Sequence, residues 1–128
     1  MWLLKSEPND YSFDDLMNDN TTIWDGVKNY QAINNMKEMK KGEKVLFYHT
    51  GNQRRIVGLC EVTKEAYEYG EYTVVEIKAI KKFSKTVTLK EVKADEFFKD
   101  WALVRQGRLS VVPVEKKYWE KINNILEG

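Results

Sequence analysis

The run at residues 72–83, YTVVEIKAIKKF, constrains this chain more than any other segment. It is rich in β-branched and aromatic residues, which suit a pleated, half-buried surface, so it reads as a strand. A strand buried on one face alternates between apolar and polar positions. Here the alternation slips, because Val74, Glu76, Lys78 and Ile80 do not separate cleanly from Val75, Ile77 and Ala79. A bulge or bend accounts for the slip, and such irregularity belongs to coiled, barrel-like sheets.

The neighbouring segments supply partners for that strand. Residues 44–49 (KVLFYH) read as a strand, Gly51-Asn52 as a turn, and residues 56–62 (IVGLCEV) as the return strand. Residues 2–5 form a short apolar first strand, broken by the segment around Pro8, which lacks an amide hydrogen and disfavours helix at Glu7. Residues 109–114 (LSVVPV) give a further strand, and Pro113 points to an edge or a strand end.

Helices frame these strands. Ser12-Phe13-Asp14-Asp15 and Thr88-Leu89-Lys90-Glu91 both place a capping hydroxyl three residues before an acid, the capping-box pattern. The first predicts a short helix at residues 13–17, with Tyr11 and Leu16 closing a hydrophobic staple. The second predicts a helix that includes Val92 and reaches Phe97-Phe98. Residues 30–39 read as a helix with Asn29 as N-cap, an apolar stripe of Ala32, Met36 and Met39, and a stop at Lys41-Gly42. Tyr118, Trp119, Ile122, Ile125 and Leu126 share one face of a closing helix. Residues 18–22 read as a polar loop leading to Ile23-Trp24 and a turn at Asp25-Gly26. With 128 residues, no repeat and no linker, the expectation is a single α+β domain over residues 1–128.

Charge narrows the function classes only slightly. The net charge is +1, so any basic footprint for nucleic acid must be local. Arginine, whose planar fork suits phosphates and base edges, occurs only as two tight pairs, Arg54-Arg55 and Arg105/Arg108, in a chain whose other basic residues are lysines. The one cysteine, Cys60, cannot form a disulfide within the chain and reads as a buried small hydrophobe. No apolar run reaches the roughly 18 residues of a membrane span. The start lacks the basic region and long apolar stretch of a signal peptide, so a cytoplasmic location is expected.

Catalytic chemistry is poorly supplied. His49 is the only histidine, no nucleophile elbow or glycine-rich phosphate loop is present, and one His plus one Cys make a zinc site improbable. Neither metal nor cofactor is expected. Binding chemistry is better supplied. Trp24 lies among Asp25, Asn29, Tyr30 and Gln31, and an indole with fixed polar groups is how proteins hold an unstacked base. Tyr48 and His49 end a strand and open a loop, where site residues often sit. The segment Arg105-Gln106-Gly107-Arg108 reads either as a solvated loop or as a phosphate or sugar clamp.

Four segments, WLLKSEP at 2–8, WDGVKNYQAINN at 24–35, VLFYHT with IVGLCEV, and LVRQGRLSVVPV at 103–114, resemble in order the motifs of the EVE domain family. The resemblance implies a PUA-like fold, a twisted pseudo-barrel sheet flanked by short helices. It also implies a non-enzymatic module that reads a modified base in DNA or RNA. In the related YTH domain a lysine-serine pair ends the first strand and a tryptophan forms part of an aromatic cage, which Lys5, Ser6 and Trp24 match by position. Lys28 and Ile33 stand where the family pattern has arginine, and Gly107 where it has serine. The expected base contacts are therefore Lys5, Ser6, Trp24, Asn29, Tyr30, Tyr48 and His49, with Arg105 and Arg108 on the backbone. The rival expectation is an enzyme acting on a nucleotide or nucleobase, with His49 or Glu7 as acid-base.

Overall fold

The computed structural model describes residues 1–127. Six strands, β1 (Trp2–Ser6), β2 (Thr21–Trp24), β3 (Lys44–His49), β4 (Arg55–Tyr69), β5 (Tyr72–Thr88) and β6 (Val111–Pro113), form one mixed sheet in the order β2-β5-β4-β3-β1-β6. Only β1 and β3 run parallel. The chain is α+β, a twisted sheet that stays open at β2 and β6, flanked by short helices.

The irregular alternation of residues 72–83 has the expected cause. The β4–β5 ladder shifts register between Ile56 and Gly58, Leu59 and Cys60, Val62 and Lys64, and Lys64 and Tyr67. Each extra residue raises the local twist. The shifts let strands of 15 and 17 residues curl around the core instead of projecting past it. Gly58 marks the tightest approach: a Cβ there would lie 2.5 Å from the Phe13 ring, so its absence seats the first helix against the sheet.

The helices are α1 (Phe13–Asp19), α2 (Tyr30–Glu38), α3 (Leu89–Ala94), α4 (Ala102–Arg105) and α5 (Lys116–Glu127), with a 3-10 turn at Glu96–Phe98. Both capping boxes form: Ser12 Oγ accepts from the Asp15 N–H and Thr88 Oγ1 from the Glu91 N–H. Asn29 caps α2 by accepting from the Ala32 N–H at 3.0 Å. Three expectations are corrected. The polar loop at 18–22 is the end of α1 followed by β2, whose backbone pairs with β5 although its first three side chains are not buried. The helix after Thr88 does not run to Phe98. It stops at Asp95, whose carboxylate accepts from the Phe97 N–H at 3.0 Å and starts the 3-10 turn. The last strand covers only residues 111–113, and it is an edge strand, as Pro113 requires.

Candidate functional site

The curl of the sheet decides where the site lies. Strands β1 and β2 are separated in the sheet by β3, β4 and β5, yet their last residues line one cleft. Ser6 ends β1, Trp24 ends β2, and the Trp24 ring stands 5.5 Å from that of Phe47 on β3. Lys5, Ser6 and Trp24 line one cleft of about 400 Å³, together with Tyr11, Asp25 and Lys28. That size falls within the roughly 300–1,000 Å³ usual for small-molecule sites.

Each of the three is fixed by backbone geometry. The Lys5 N–H donates to Ser110 O at 3.0 Å, and Lys5 Nζ donates to Gly107 O at 3.0 Å, so the side chain ties β1 to the 105–108 segment. Nζ also stands 5.7 Å from the centroid of the Tyr48 ring. Burial, and then the nearby charge of Lys93, lowers the Lys5 pKa. Ser6 Oγ donates to Tyr11 O at 2.5 Å, leaving its lone pairs to accept from a ligand. Tyr11 meets Trp24 edge to face at 6.3 Å, and its hydroxyl donates to Asp19 Oδ2 at 2.8 Å.

Trp24 itself is 9% exposed. It is not the open platform that its polar neighbours suggest, because Tyr11 and Phe47 pack against it. It is a core residue whose remaining exposed strip forms part of the cleft wall. Its indole N–H has no hydrogen-bond partner among the described residues, although no buried side-chain donor or acceptor is left unpaired. The N–H is therefore open to solvent. Three carboxylates, Glu7, Asp10 and Asp25, also line the cleft.

The other expected residues lie elsewhere. His49 is buried: Nε2 accepts from the Phe13 N–H at 3.0 Å, and Nδ1 stands 2.8 Å from Gln53 Oε1. With Nε2 accepting, Nδ1 carries the proton and donates to Gln53, so both nitrogens are occupied in joining α1, β3 and the following turn. It faces a different cleft from Glu7, so the two acid-base candidates do not converge. Tyr48 is 3% exposed and lines a second cleft on the far side of Lys5. Asn29 is held by its capping bond and shares a shallow cleft with Arg108, apart from Trp24. Tyr30 is 85% exposed and lines none of these clefts. Arg105 pairs with Asp100 at 3.2 Å, so its charge is already partly answered within the chain.

Tyr11 is the residue that sequence reasoning missed, because its place before a capping box reads as a staple for the helix. Asp10 was legible only as part of a turn, and Glu7 as that or as an acid-base candidate. Elsewhere, burial pushes the Cys60 thiol up and leaves it inert. Among the described residues no group of three or more His, Cys, Asp and Glu is placed to hold a metal ion. No helix of the described residues is long and apolar enough to cross a membrane.

The comparisons with known proteins agree with this fold. A protein of Leishmania major superposes with a TM-score of 0.92 at 36% identity, covering 98% of this chain and 93% of its own. The human THYN1 protein, solved in complex with DNA containing 5-methylcytosine, superposes with a TM-score of 0.92 at 28% identity, covering 99% and 97%. Thymocyte nuclear protein 1 of Danio rerio is 30% identical over 93% of this chain and 68% of its own length. Residues 1–125 match the EVE domain, and the chain belongs to that family.

Proposed function

We propose that this chain binds nucleic acid through a modified base, drawn out of its stack and held in the Trp24 cleft, and that it does so without catalysing a reaction. One observation carries the reading: the sheet brings Lys5, Ser6 and Trp24 from opposite strands to a cleft of about 400 Å³ that presents fixed polar groups beside an indole. The Trp24 N–H and the Lys5 ammonium are donors for ring nitrogen and carbonyl acceptors. The Ser6 hydroxyl and the carboxylates of Asp10 and Asp25 are acceptors for an exocyclic amine. The related human protein was solved with 5-methylcytosine in its DNA, which makes a methylated cytosine in DNA the first base to test. Against an enzyme stands His49, whose two nitrogens are both engaged within the fold.

Burying one methyl group is worth about 0.8 kcal/mol, a factor of about four in affinity. Fluorescence anisotropy with two DNA oligonucleotides that differ only in one 5-methyl group measures this directly. The methylated strand is expected to bind at least about four times more tightly. Ser6→Ala and Asp25→Asn are expected to weaken both. Equal affinity of the two strands would contradict methyl recognition, and turnover of either strand would contradict a purely binding role.

A further inference from the structure

The second cleft, beyond Lys5, carries charge that the fold leaves unanswered. It encloses about 370 Å³ between the turn after β3 and helix α3, and its lining includes Lys5, Arg54 and Lys93 but no carboxylate. The surface continues past Arg54 and Lys93 to Arg55 and Lys90, again without an acidic side chain in its lining. Five cations thus share one groove. Glu91, the acid nearest in sequence, is turned to the Thr88 cap, where its Oε1 accepts from the Thr88 N–H at 3.1 Å. Glu7 closes the rim of the turn, accepting from Thr50 Oγ1 at 3.4 Å, and lines the first cleft instead.

The gathering of five cations in one lining with no acidic side chain sets this groove apart. Lys5, Arg54, Arg55, Lys90 and Lys93 meet no carboxylate within 4 Å among the described residues; other unpaired cations, such as Lys40 and Lys117, lie outside the groove. Within the groove Lys93 opposes the charge on Lys5 and Arg54 acts on the Tyr48 hydroxyl, while Arg55, at its edge, acts on Glu91. Arg54 is further held with φ at +46°, a left-handed conformation uncommon for a residue with a side chain, while its Nε donates to Gly51 O at 3.2 Å. Like charges gathered with no acidic side chain in the lining raise the energy of the folded chain, and an anion in the groove relieves it. Strain and repulsion kept together mark a ligand site better than a structural one.

Resting on the reading of the first cleft as a base pocket, we propose that this groove grips a phosphodiester of the bound strand next to the captured base. Lys5 lines both clefts and is the hinge between them. Arg54 and Lys93 take the non-bridging oxygens, the arginine through its planar fork. Arg105, paired with Asp100, is not part of this grip.

The test is the salt dependence of binding by the full chain and by its Arg54→Gln, Lys93→Gln double variant, using the methylated and unmethylated oligonucleotides. Both side chains are exposed, so the variant keeps its fold, which its urea midpoint checks. Loss of two phosphate contacts is expected to lower the slope of log affinity against log salt by about 1 for each contact, equally for both strands, with the methyl preference intact. Lys40→Gln, Lys117→Gln, two exposed lysines outside the groove, is expected to leave the slope alone. An unchanged slope in the Arg54/Lys93 variant, an equal drop in the Lys40/Lys117 variant, or an absence of salt-dependent binding by the native chain would each overturn the proposal. A native chain with no methyl preference, whose slope still falls on losing Arg54 and Lys93, would overturn the base reading and leave the phosphate grip standing.

Discussion

Trp101 and Trp24 are both at least nine-tenths buried, yet they sit in regions built on different terms. Trp101 is 0% exposed, stacks on Tyr118 with centroids 5.3 Å apart, and donates its indole N–H to Pro113 O at 2.8 Å. Phe98 packs beside both rings, and the cluster fastens α5 and the edge strand β6 to the rest. There the indole N–H is answered by the backbone of the edge strand. Around Trp24 the rings meet edge to face, the indole N–H is unanswered, and carboxylates and a half-buried lysine line the adjoining space. Burial alone does not separate a packing aromatic from a binding one. Trp24 differs from Trp101 in keeping an indole N–H open to solvent instead of bonded within the fold.

Trp101→Ala is the severest way to probe this contrast. It removes a fully buried ring and its hydrogen bond, and is expected to cost about 3–5 kcal/mol of stability in urea unfolding. Affinity per folded molecule should not change. Trp24→Ala is expected to cost about 3 kcal/mol, since part of the ring already faces the cleft, and in addition to weaken oligonucleotide binding by at least about fivefold. A variant that loses stability and keeps full affinity would place Trp24 with Trp101 after all.

His49 gives a smaller and sharper effect. His49→Ala leaves the buried Phe13 N–H without its acceptor, at a cost of about 1–3 kcal/mol. Affinity should be retained at temperatures where the variant is folded. A selective loss of binding would return His49 to the site. The mildest change is Thr88→Ala, which removes a helix cap worth about 1 kcal/mol. It also bears on pH. The Thr88 N–H and then its hydroxyl hold the Glu91 carboxyl below its usual value of 4.5, and Lys121 and then the Phe97 N–H hold Asp95 below 3.8. A folded pKa below the unfolded one adds stability that is complete above these usual values and fades as pH falls through the folded ones. Acid unfolding curves should therefore show a shallower loss for Thr88→Ala, which lacks the hydroxyl's share of the Glu91 effect.

Much of this fold was legible because its signals are local. Capping hydroxyls three residues before an acid located α1 and α3, and the broken alternation of β5 announced the shifts that curl the sheet. Strand β2 escaped notice because only Trp24 among its four side chains is buried, so its identity rests on pairing with β5, distant in sequence. In the site, Lys5, Ser6 and Trp24 were recognisable from the family's motifs. Tyr48 and His49 stand apart from the Trp24 cleft for a structural reason: they adjoin Lys5 and Ser6 across the β1–β3 ladder, but one faces the second cleft and the other the Phe13 backbone. A strand-end histidine that caps an amide 36 residues away looks, in sequence, like one that meets a ligand. The pairing of Arg105 with Asp100 gives no pattern in the sequence at a spacing of five.

The most direct measurement follows the indole N–H signals of the four tryptophans in a ¹H–¹⁵N spectrum while a 5-methylcytosine oligonucleotide is added. In the free protein, Trp24 should exchange rapidly with solvent and Trp101 slowly. On saturation the Trp24 signal should shift and become protected, while that of Trp101 stays where it was. A Trp24 signal that does not move when the oligonucleotide is fully bound would contradict the claim that this cleft receives the base.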